Sequence, residues 1–145
     1  MNSSGPVCSF SDGMKTLGAI MRAAAVIEAY AETRLASVNL SFAKQTALSH
    51  LVAAGEPLAL SDIAQRLTCV RSNVTQLIDR LEADGLVQRV DHPSDRRMVR
   101  AELTPLGRER HAQGEETLRL AQQELMKRVP SKDAARLVEL LQGIC

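Results

Sequence analysis

The residues from Ser61 to Thr104 constrain the fold more than any other part of this 145-residue chain. Apolar residues at 63, 64 and 67 predict a two-turn helix that begins at Ser61 as its N-cap and leads into a tight turn. A second helix follows and ends at Gly85. Its apolar residues recur at i, i+3, i+4 and i+7, the pattern of an amphipathic helix. They are Val74, Leu77, Ile78 and Leu81. This arrangement has helix-turn-helix spacing.

The segments after the second helix have the pattern of a β-hairpin. Residues 86–91 and 98–104 are predicted strands, because apolar and charged residues alternate in the second of them. The polar connection between them contains Pro93, which is expected to lie outside the ladder. A β-hairpin placed directly after a helix-turn-helix is a wing.

Helix ends outside this stretch also have signals in the sequence. Gly55 is placed to end the helix that precedes it, and Thr104-Pro105 is a strong helix start. Ser131, after Pro130, is the expected N-cap of the last helix.

The flanking segments have the pattern of helices with long apolar stripes. Aromatic residues make up only 2% of the chain, so the core must be built from aliphatic side chains, which favours packed helices. The predicted fold is mainly α with a small β-wing, that is, a winged helix-turn-helix with N- and C-terminal dimerisation helices. We expect a mobile tail at 1–11 and one domain at 12–145. Within that domain, 12–40 and 106–145 are dimerisation helices and 41–105 is the winged lobe.

The second helix of the helix-turn-helix carries side chains suited to reading DNA. The formal net charge is only +1, so the evidence for a nucleic-acid partner must be local. Asn and Gln can pair with adenine, Arg with guanine, and Ser or Thr with base or phosphate. The alternative interpretation is a helix face that is only exposed to solvent. Asp79 weighs against DNA contact, because its carboxylate would be repelled by phosphate. The candidate readers are Arg71, Ser72, Asn73, Thr75, Gln76 and Arg80.

The hairpin gathers positive charge at its tip. Four arginines, at 89, 96, 97 and 100, stand against only Asp91 and Asp95. An arginine at the tip of a hairpin suits the minor groove, where negative potential is focused. Asp95 could hold the side chain of Arg97 in a fixed direction. The opposing reading is an ordinary hairpin whose charges keep it soluble. The candidate wing residues are Asp95, Arg96 and Arg97.

The wing resembles a known family signature. Asp95-Arg96-Arg97, five further residues and Leu103-Thr104 resemble the D-x-R-x5-L-T motif of the MarR family of bacterial transcription regulators. Residues 71–87 are similar to that family's recognition helix and first wing strand. The resemblance implies a homodimeric repressor that binds double-stranded DNA at a pseudo-palindromic operator. It also implies that Arg97 enters the minor groove and that Asp95 orients it.

The same resemblance implies release by a small, often aromatic and anionic effector bound between the dimer helices and the winged lobe. The candidate pocket residues are Arg22, Tyr30, Arg34 and His50. Each has a simpler explanation, because the arginines can be solvated charges and His50 a structural histidine.

The cysteines leave a second trigger open. Cys8, Cys69 and Cys145 are an odd number without a CxxC motif, which predicts neither a disulfide framework nor a metal site and suits a reducing cytosol. Oxidation of Cys69, or a disulfide between Cys8 and Cys145 of two subunits, would make the chain a thiol-based redox-sensing repressor of the same fold.

Other classes of protein are less consistent with the sequence. HExxH, P-loop, GxGxxG and nucleophile-elbow motifs are absent, and His50, His92 and His111 have no cysteine or acid at catalytic spacing, so we expect neither an enzyme nor a cofactor. The apolar runs are too short to cross a membrane, which predicts a cytoplasmic protein without a membrane partner. The remaining rival is a winged-helix protein-interaction module, which would lack the steep salt dependence of DNA binding.

Overall fold

The computed structural model describes residues 10–67, 73–95 and 97–143, although not the side chains of Phe10 and Ser11. The described residues are mainly helical and include one small antiparallel sheet, which confirms the predicted fold class. The elements, in chain order, are α1 (Phe10–Ala36), α2 (Phe42–Ala54), β1 (Leu58–Ala59), α3 (Leu60–Arg66), α4 (Val74–Ala83), β2 (Val87–Asp91), β3 (Val99–Leu103), α5 (Pro105–Met126) and α6 (Ser131–Gln142).

Several helix ends lie where local chemistry places them. Ser41 caps α2, since its hydroxyl accepts a hydrogen bond from the backbone N–H of Lys44 at 3.1 Å. Gly55 ends α2 with φ +68°, and Gly85 follows α4 with φ +72°. Both glycines adopt the left-handed conformation that L side chains disfavour. Thr104 caps α5 and Pro105 is its first residue, as predicted.

The first helix differs from its prediction at both ends. It begins at Phe10, inside the segment expected to be a tail, and ends at Ala36 rather than at residue 40. The chain turns there because the N–H of Leu40 donates to the carbonyl of Leu35 at 3.1 Å, and Asn39 adopts a φ of +56°. The rest of the expected tail, residues 1–9, lies outside the described residues.

Two predicted caps were wrong. The helix α3 begins at Leu60 with Ala59 before it and no side-chain cap, so Ser61 is not its N-cap. The reason is that Leu58 and Ala59 pair with β3, and the chain passes from that strand directly into the helix. Pro130, without a side-chain cap, precedes α6, and Ser131 is already helical.

The sheet has the strand order β1-β3-β2, and both pairings are antiparallel. The wing strands β2 and β3 pair from Val87 opposite Leu103 to Asp91 opposite Val99. The strand β1 extends this ribbon by a third, two-residue strand at its other edge. The wing is therefore attached to the helical part of the lobe by backbone hydrogen bonds as well as by side chains.

The core lies between the sheet and α2, α3 and α4, with Leu35 reaching it from α1. Many large apolar residues on α1 and α6 remain exposed in a single chain. They are Met14, Leu17, Met21, Val26, Ile27, Leu137, Val138, Leu140 and Leu141. In the described ranges, no helix combines the length and the apolar character needed to cross a bilayer.

Candidate nucleic-acid interface

The helix α4 has a buried inner face and an exposed outer face. Leu77, Ile78 and Leu81 lie in the core. The side chains of Thr75, Gln76 and Arg80 are exposed. This division follows the amphipathic stripe read from the sequence, and it leaves a polar surface on one side of the helix. Two of the predicted DNA contacts, Arg71 and Ser72, lie outside the described residues. The three cysteines considered for redox sensing also lie outside them.

Asn73 has a structural role in addition to its predicted contact with DNA. It is the N-cap of α4, and its side-chain oxygen accepts a hydrogen bond from the N–H of Gln76 at 3.3 Å. Its side-chain oxygen therefore satisfies one of the unpaired donors of the first helical turn.

Arg89 of the wing binds two carboxylates on α4. Its guanidinium pairs with Glu82 through Nη1 and with Asp79 through Nη2. The backbone N–H of Arg89 also donates to Glu82 at 3.2 Å. The hydrogen bond with Asp79, followed by that with Glu82, raises the pKa of Arg89. Arg89 is therefore not a free charge of the wing, and it neutralises the Asp79 carboxylate that weighed against DNA contact.

Asp95 fixes the wing tip through the backbone. Its Oδ1 accepts from the backbone N–H of Arg97 at 2.9 Å, and its carbonyl accepts from the N–H of Met98 at 3.0 Å. Across the base of the tip, the N–H of His92 donates to the carbonyl of Met98 at 3.1 Å. Asp95 thus sets the position from which the exposed Arg97 side chain leaves the chain, and no hydrogen bond joins the two side chains. Arg96 lies outside the described residues.

Arg97 is the exposed basic group of the wing among the residues that the structure describes. Arg89 is held by α4, and Arg100 is half-buried and donates to the carbonyl of Asp91 at 3.3 Å. The positive charge that the sequence distributes over the hairpin is therefore concentrated at its tip.

Thr104 joins the wing, the end of α4 and the start of α5. Its hydroxyl donates to the carbonyl of Gly85 at 2.7 Å and accepts from the N–H of Gly107 at 3.0 Å. Its backbone N–H donates to the carbonyl of Leu86 at 3.1 Å. Helix, wing and α5 thus meet at one hydrogen-bonded junction, so the outer face of α4 and the wing tip are held in a fixed relation.

Comparison with known proteins supports this architecture. The model of the MarR family matches residues 47–99, which run from α2 to the second wing strand. An uncharacterized HTH-type transcriptional regulator of Bacillus subtilis, YkoM, is 45% identical over 53 residues, 37% of this chain and 34% of the relative. The matched segment therefore spans about one third of that relative's length.

Solved structures resemble this chain in fold over nearly its whole length. The transcriptional regulator BldR of Sulfolobus solfataricus superimposes with a TM-score of 0.76 at 28% identity, covering 94% of this chain and 96% of the other. A mutant of E. coli MarR in complex with operator DNA superimposes with a TM-score of 0.80 at 22% identity, covering 94% and 98%. The match to the MarR family is confined to residues 47–99, and the solved structures extend the likeness in fold beyond that segment. A third likeness is RdhR-CbdbA1625, an organohalide-sensing regulator in its 2,4-dichlorophenol-bound form, with a TM-score of 0.81 at 21% identity, covering 99% and 86%.

Two of the four residues predicted for an effector pocket lie together. Arg34 Nη2 donates to the hydroxyl of Tyr30 at 2.8 Å, and both side chains bind the carboxylate of Glu124 on α5. Arg22 is exposed on α1 and His50 is half-buried on α2. Among the described residues, neither forms a hydrogen bond or ion pair with this cluster. The pairing of Tyr30 with Glu124, which is 94 positions away, has no signal in the sequence.

A polar cluster between α2 and α5 was not predicted from the sequence. Gln45 is buried and its Nε2 donates to Glu115 at 2.9 Å. His111 Nε2 lies 3.0 Å from the hydroxyl of Ser49 and 3.6 Å from Glu115. Both contacts use the same ring nitrogen, whereas a serine–histidine–acid relay needs the acid on the other one. The i,i+4 spacing of His111 and Glu115 was the available signal. Within the described ranges, no group of three acidic, histidine or cysteine side chains is placed to hold a metal.

Replacing Tyr30 by Phe is expected to raise the pKa of Glu124. The hydrogen bond from Tyr30, followed by the positive charge of Arg34, holds that pKa below its ordinary value of 4.5. A depressed folded-state pKa contributes stability above the unfolded value and loses it as the pH falls through the folded value. The variant should therefore lose less stability than the wild type between about pH 5 and pH 3. Carboxyl NMR titration measures the pKa directly.

Glu116 is the internal control for this experiment, because Arg119 lowers its pKa independently of Tyr30. An unchanged Glu124 titration in the variant would show that the hydrogen bond from Tyr30 is not formed in solution.

Proposed function

We propose that this chain is a homodimeric, sequence-specific DNA-binding transcription regulator. The observation that carries the proposal is the rigid pairing of a polar helix face on α4 with an exposed arginine at the wing tip. Arg89 and Thr104 hold these two parts in one unit. A unit of this form can place a helix in the major groove while the tip reaches the adjacent minor groove.

The proposed roles follow from side-chain chemistry. Gln76 and Arg80 would read base edges in the major groove, and Thr75 would contact base or phosphate. Arg97 would enter the minor groove from the turn that Asp95 stabilises. Arg71, Ser72, Asn73 and Arg96 complete the proposed DNA surface; they stand next to these residues in the sequence.

The exposed apolar residues of α1 and α6 support the proposal of a homodimer. Extensive exposed apolar surface usually marks an interface with another protein. A second copy would cover them symmetrically and present two α4 helices to a pseudo-palindromic operator, with half-sites about 34 Å apart. The similarity to a MarR structure bound to operator DNA is consistent with this arrangement.

We propose repression relieved by a small aromatic or anionic effector as the mode of regulation. Its support is the family resemblance and the likeness to a regulator crystallised with 2,4-dichlorophenol. The effector would bind near Tyr30 and Arg34, where it would compete with Glu124 for their hydrogen bonds. Regulation through thiol oxidation stays the alternative. A protein-interaction module is the alternative to DNA binding itself.

Replacing Arg97 by Ala tests the function directly. The wild type is first used to select binding duplexes from a random library. Fluorescence anisotropy should then show that the variant binds the selected duplex about tenfold more weakly, because one minor-groove cation is lost. The dependence of log affinity on log salt should also become shallower by about one unit.

Arg119→Ala is the matched control, since Arg119 is an exposed arginine on α5 that pairs with Glu116. It should bind the duplex like the wild type. Failure of the wild type to enrich any duplex, or affinity that does not change with salt, would favour the protein-interaction module. Normal binding by Arg97→Ala alone would show that the wing assignment is wrong.

A further inference from the structure

We propose that the groove where the end of α4 meets the α1–α2 turn is a binding site for a small oxyanion, a carboxylate or a phosphate. The groove has a volume of about 560 Å³ and contains none of the four residues predicted for the effector pocket. It is lined by the ends of α1 and α4, by the turn between α1 and α2, and by α2 and α5. Its polar lining consists of Asn39, Ser41, Lys44, Asp84 and Arg110.

The charges of this groove favour an anion. Two cations, Lys44 and Arg110, stand against one carboxylate, Asp84. Lys44 Nζ lies 2.6 Å from Asp84 Oδ2, and the Lys44 side chain is only 20% exposed. Arg110 is half-buried and donates to the backbone carbonyl of Val38 at 3.1 Å. Within the described ranges, Arg110 forms no ion pair. A guanidinium removed from water in this way gains most from an anionic partner with two oxygens.

The backbone around the groove is fixed before any ligand binds. Asn39 holds a φ of +56°, a conformation that costs free energy for a residue other than glycine. The neighbouring hydrogen bond from Leu40 to the carbonyl of Leu35 and the cap formed by Ser41 keep the turn in place. The N-terminus of α2 also lies here, and its Phe42 N–H already donates to the carboxylate of Glu32 at 3.1 Å. The attraction for an anion therefore comes from the side chains of Lys44 and Arg110. Such a preformed site loses little conformational freedom on binding.

A larger groove along α5 does not share this chemistry. It has a volume of about 670 Å³ and is lined by His111, Glu115, Glu116 and Arg119, among others. Two carboxylates face it, and its arginine already binds Glu116 through two hydrogen bonds. An anion would be repelled there, so the smaller groove is the candidate.

Occupation of the groove would act on the end of the recognition helix. Asp84 is the C-cap of α4, and its contact with Lys44 ties α4 to α2. An anion on Lys44 would compete with Asp84 for the ammonium group and loosen this tie. This regulatory consequence rests on the proposed DNA-binding function, whereas anion binding itself does not.

The test is a titration of the full chain, followed by amide NMR, with inorganic phosphate and separately with benzoate. Sodium chloride at equal ionic strength is the reference. At least one of the two anions should give saturable shifts centred on residues 39–44, 84 and 110. Arg110→Gln and Lys44→Gln should each weaken that binding by about tenfold, because each removes a charged donor. Arg119→Gln, which removes an arginine from the other groove, should not.

Asp84→Asn distinguishes loss of the site from damage to the fold. It should tighten anion binding severalfold because it releases Lys44, whereas a damaged fold would weaken that binding. Shifts that never saturate, or equal affinity in Arg110→Gln and the wild type, would overturn the site. Weaker binding in Asp84→Asn would overturn the competition. If the anion binds as expected but leaves DNA affinity unchanged, the anion site is supported and its proposed effect on DNA binding is wrong. If the protein binds no duplex at all, the proposed DNA-binding function is wrong, and saturable anion binding would still support the anion site.

Discussion

Gly107→Ala should destabilise the fold by about 3 kcal/mol or more, since a buried methyl group would have to overlap backbone atoms. A Cβ at this position would collide with the carbonyl oxygen of Leu86 and come within 3.0 Å of a methyl group of Leu103. The same carbonyl accepts the N–H of Thr104, so the junction between wing and α5 cannot move aside without losing that hydrogen bond. Urea unfolding at a fixed protein concentration measures the effect.

Gly13→Ala is the control for this prediction. Gly13 is also helical, but a Cβ there would meet nothing within 4 Å. Alanine is the better helix former, so this variant should be as stable as the wild type or more stable by about 0.5–1 kcal/mol. Equal stability of Gly107→Ala and the wild type would mean that α5 does not pack on Leu86 as described.

Arg89→Gln should weaken binding to the selected duplex by about thirtyfold, more than the loss of the tip arginine, because two carboxylates on α4 lose their counter-ion. Asp79 and Glu82 would then face DNA phosphate as bare negative charges. The wing would also lose a side-chain contact that sets its angle to the helix. Fluorescence anisotropy at a series of salt concentrations would measure both the affinity and its salt slope.

Rescue separates this charge effect from general damage. Adding Asp79→Asn and Glu82→Gln to Arg89→Gln removes the uncompensated charges and should restore most of the affinity. Arg89→Lys keeps one positive charge without the two-pronged geometry, and it should fall between the wild type and Arg89→Gln. A triple variant that binds no better than Arg89→Gln would refute neutralisation as the role of Arg89.

The features predicted correctly from sequence are the local ones. Gly55 and Gly85 end helices through their own backbone freedom, and Thr104-Pro105 starts one through a cap and a fixed φ. The prediction of Ser61 as an N-cap was wrong because the start of α3 is set by the pairing of β1 with β3, which is more than forty residues away. No property of Ser61 or its neighbours reports on that pairing.

The candidate site shows the same limit. The polar face of α4 follows from helical periodicity, and the wing tip follows from a motif. The role of Arg89 does not, since its partners are set by how the hairpin folds back on α4. Counting Arg89 as a free charge overestimated the positive charge of the wing. Asp95 was predicted to hold the side chain of Arg97, whereas its observed hydrogen bond is with the backbone N–H of Arg97.

The outward side chains of Thr75, Gln76 and Arg80 form no hydrogen bond or ion pair with any other described residue. Within the part of the lobe that the structure describes, the side chains that bond it together are others, among them Asn73, Arg89 and Thr104. Retargeting of the protein to a new operator should therefore be possible by randomising these three positions alone. Because these three side chains do not stabilise the fold, most members of such a library should fold. Selection would then distinguish them by base preference and not by stability.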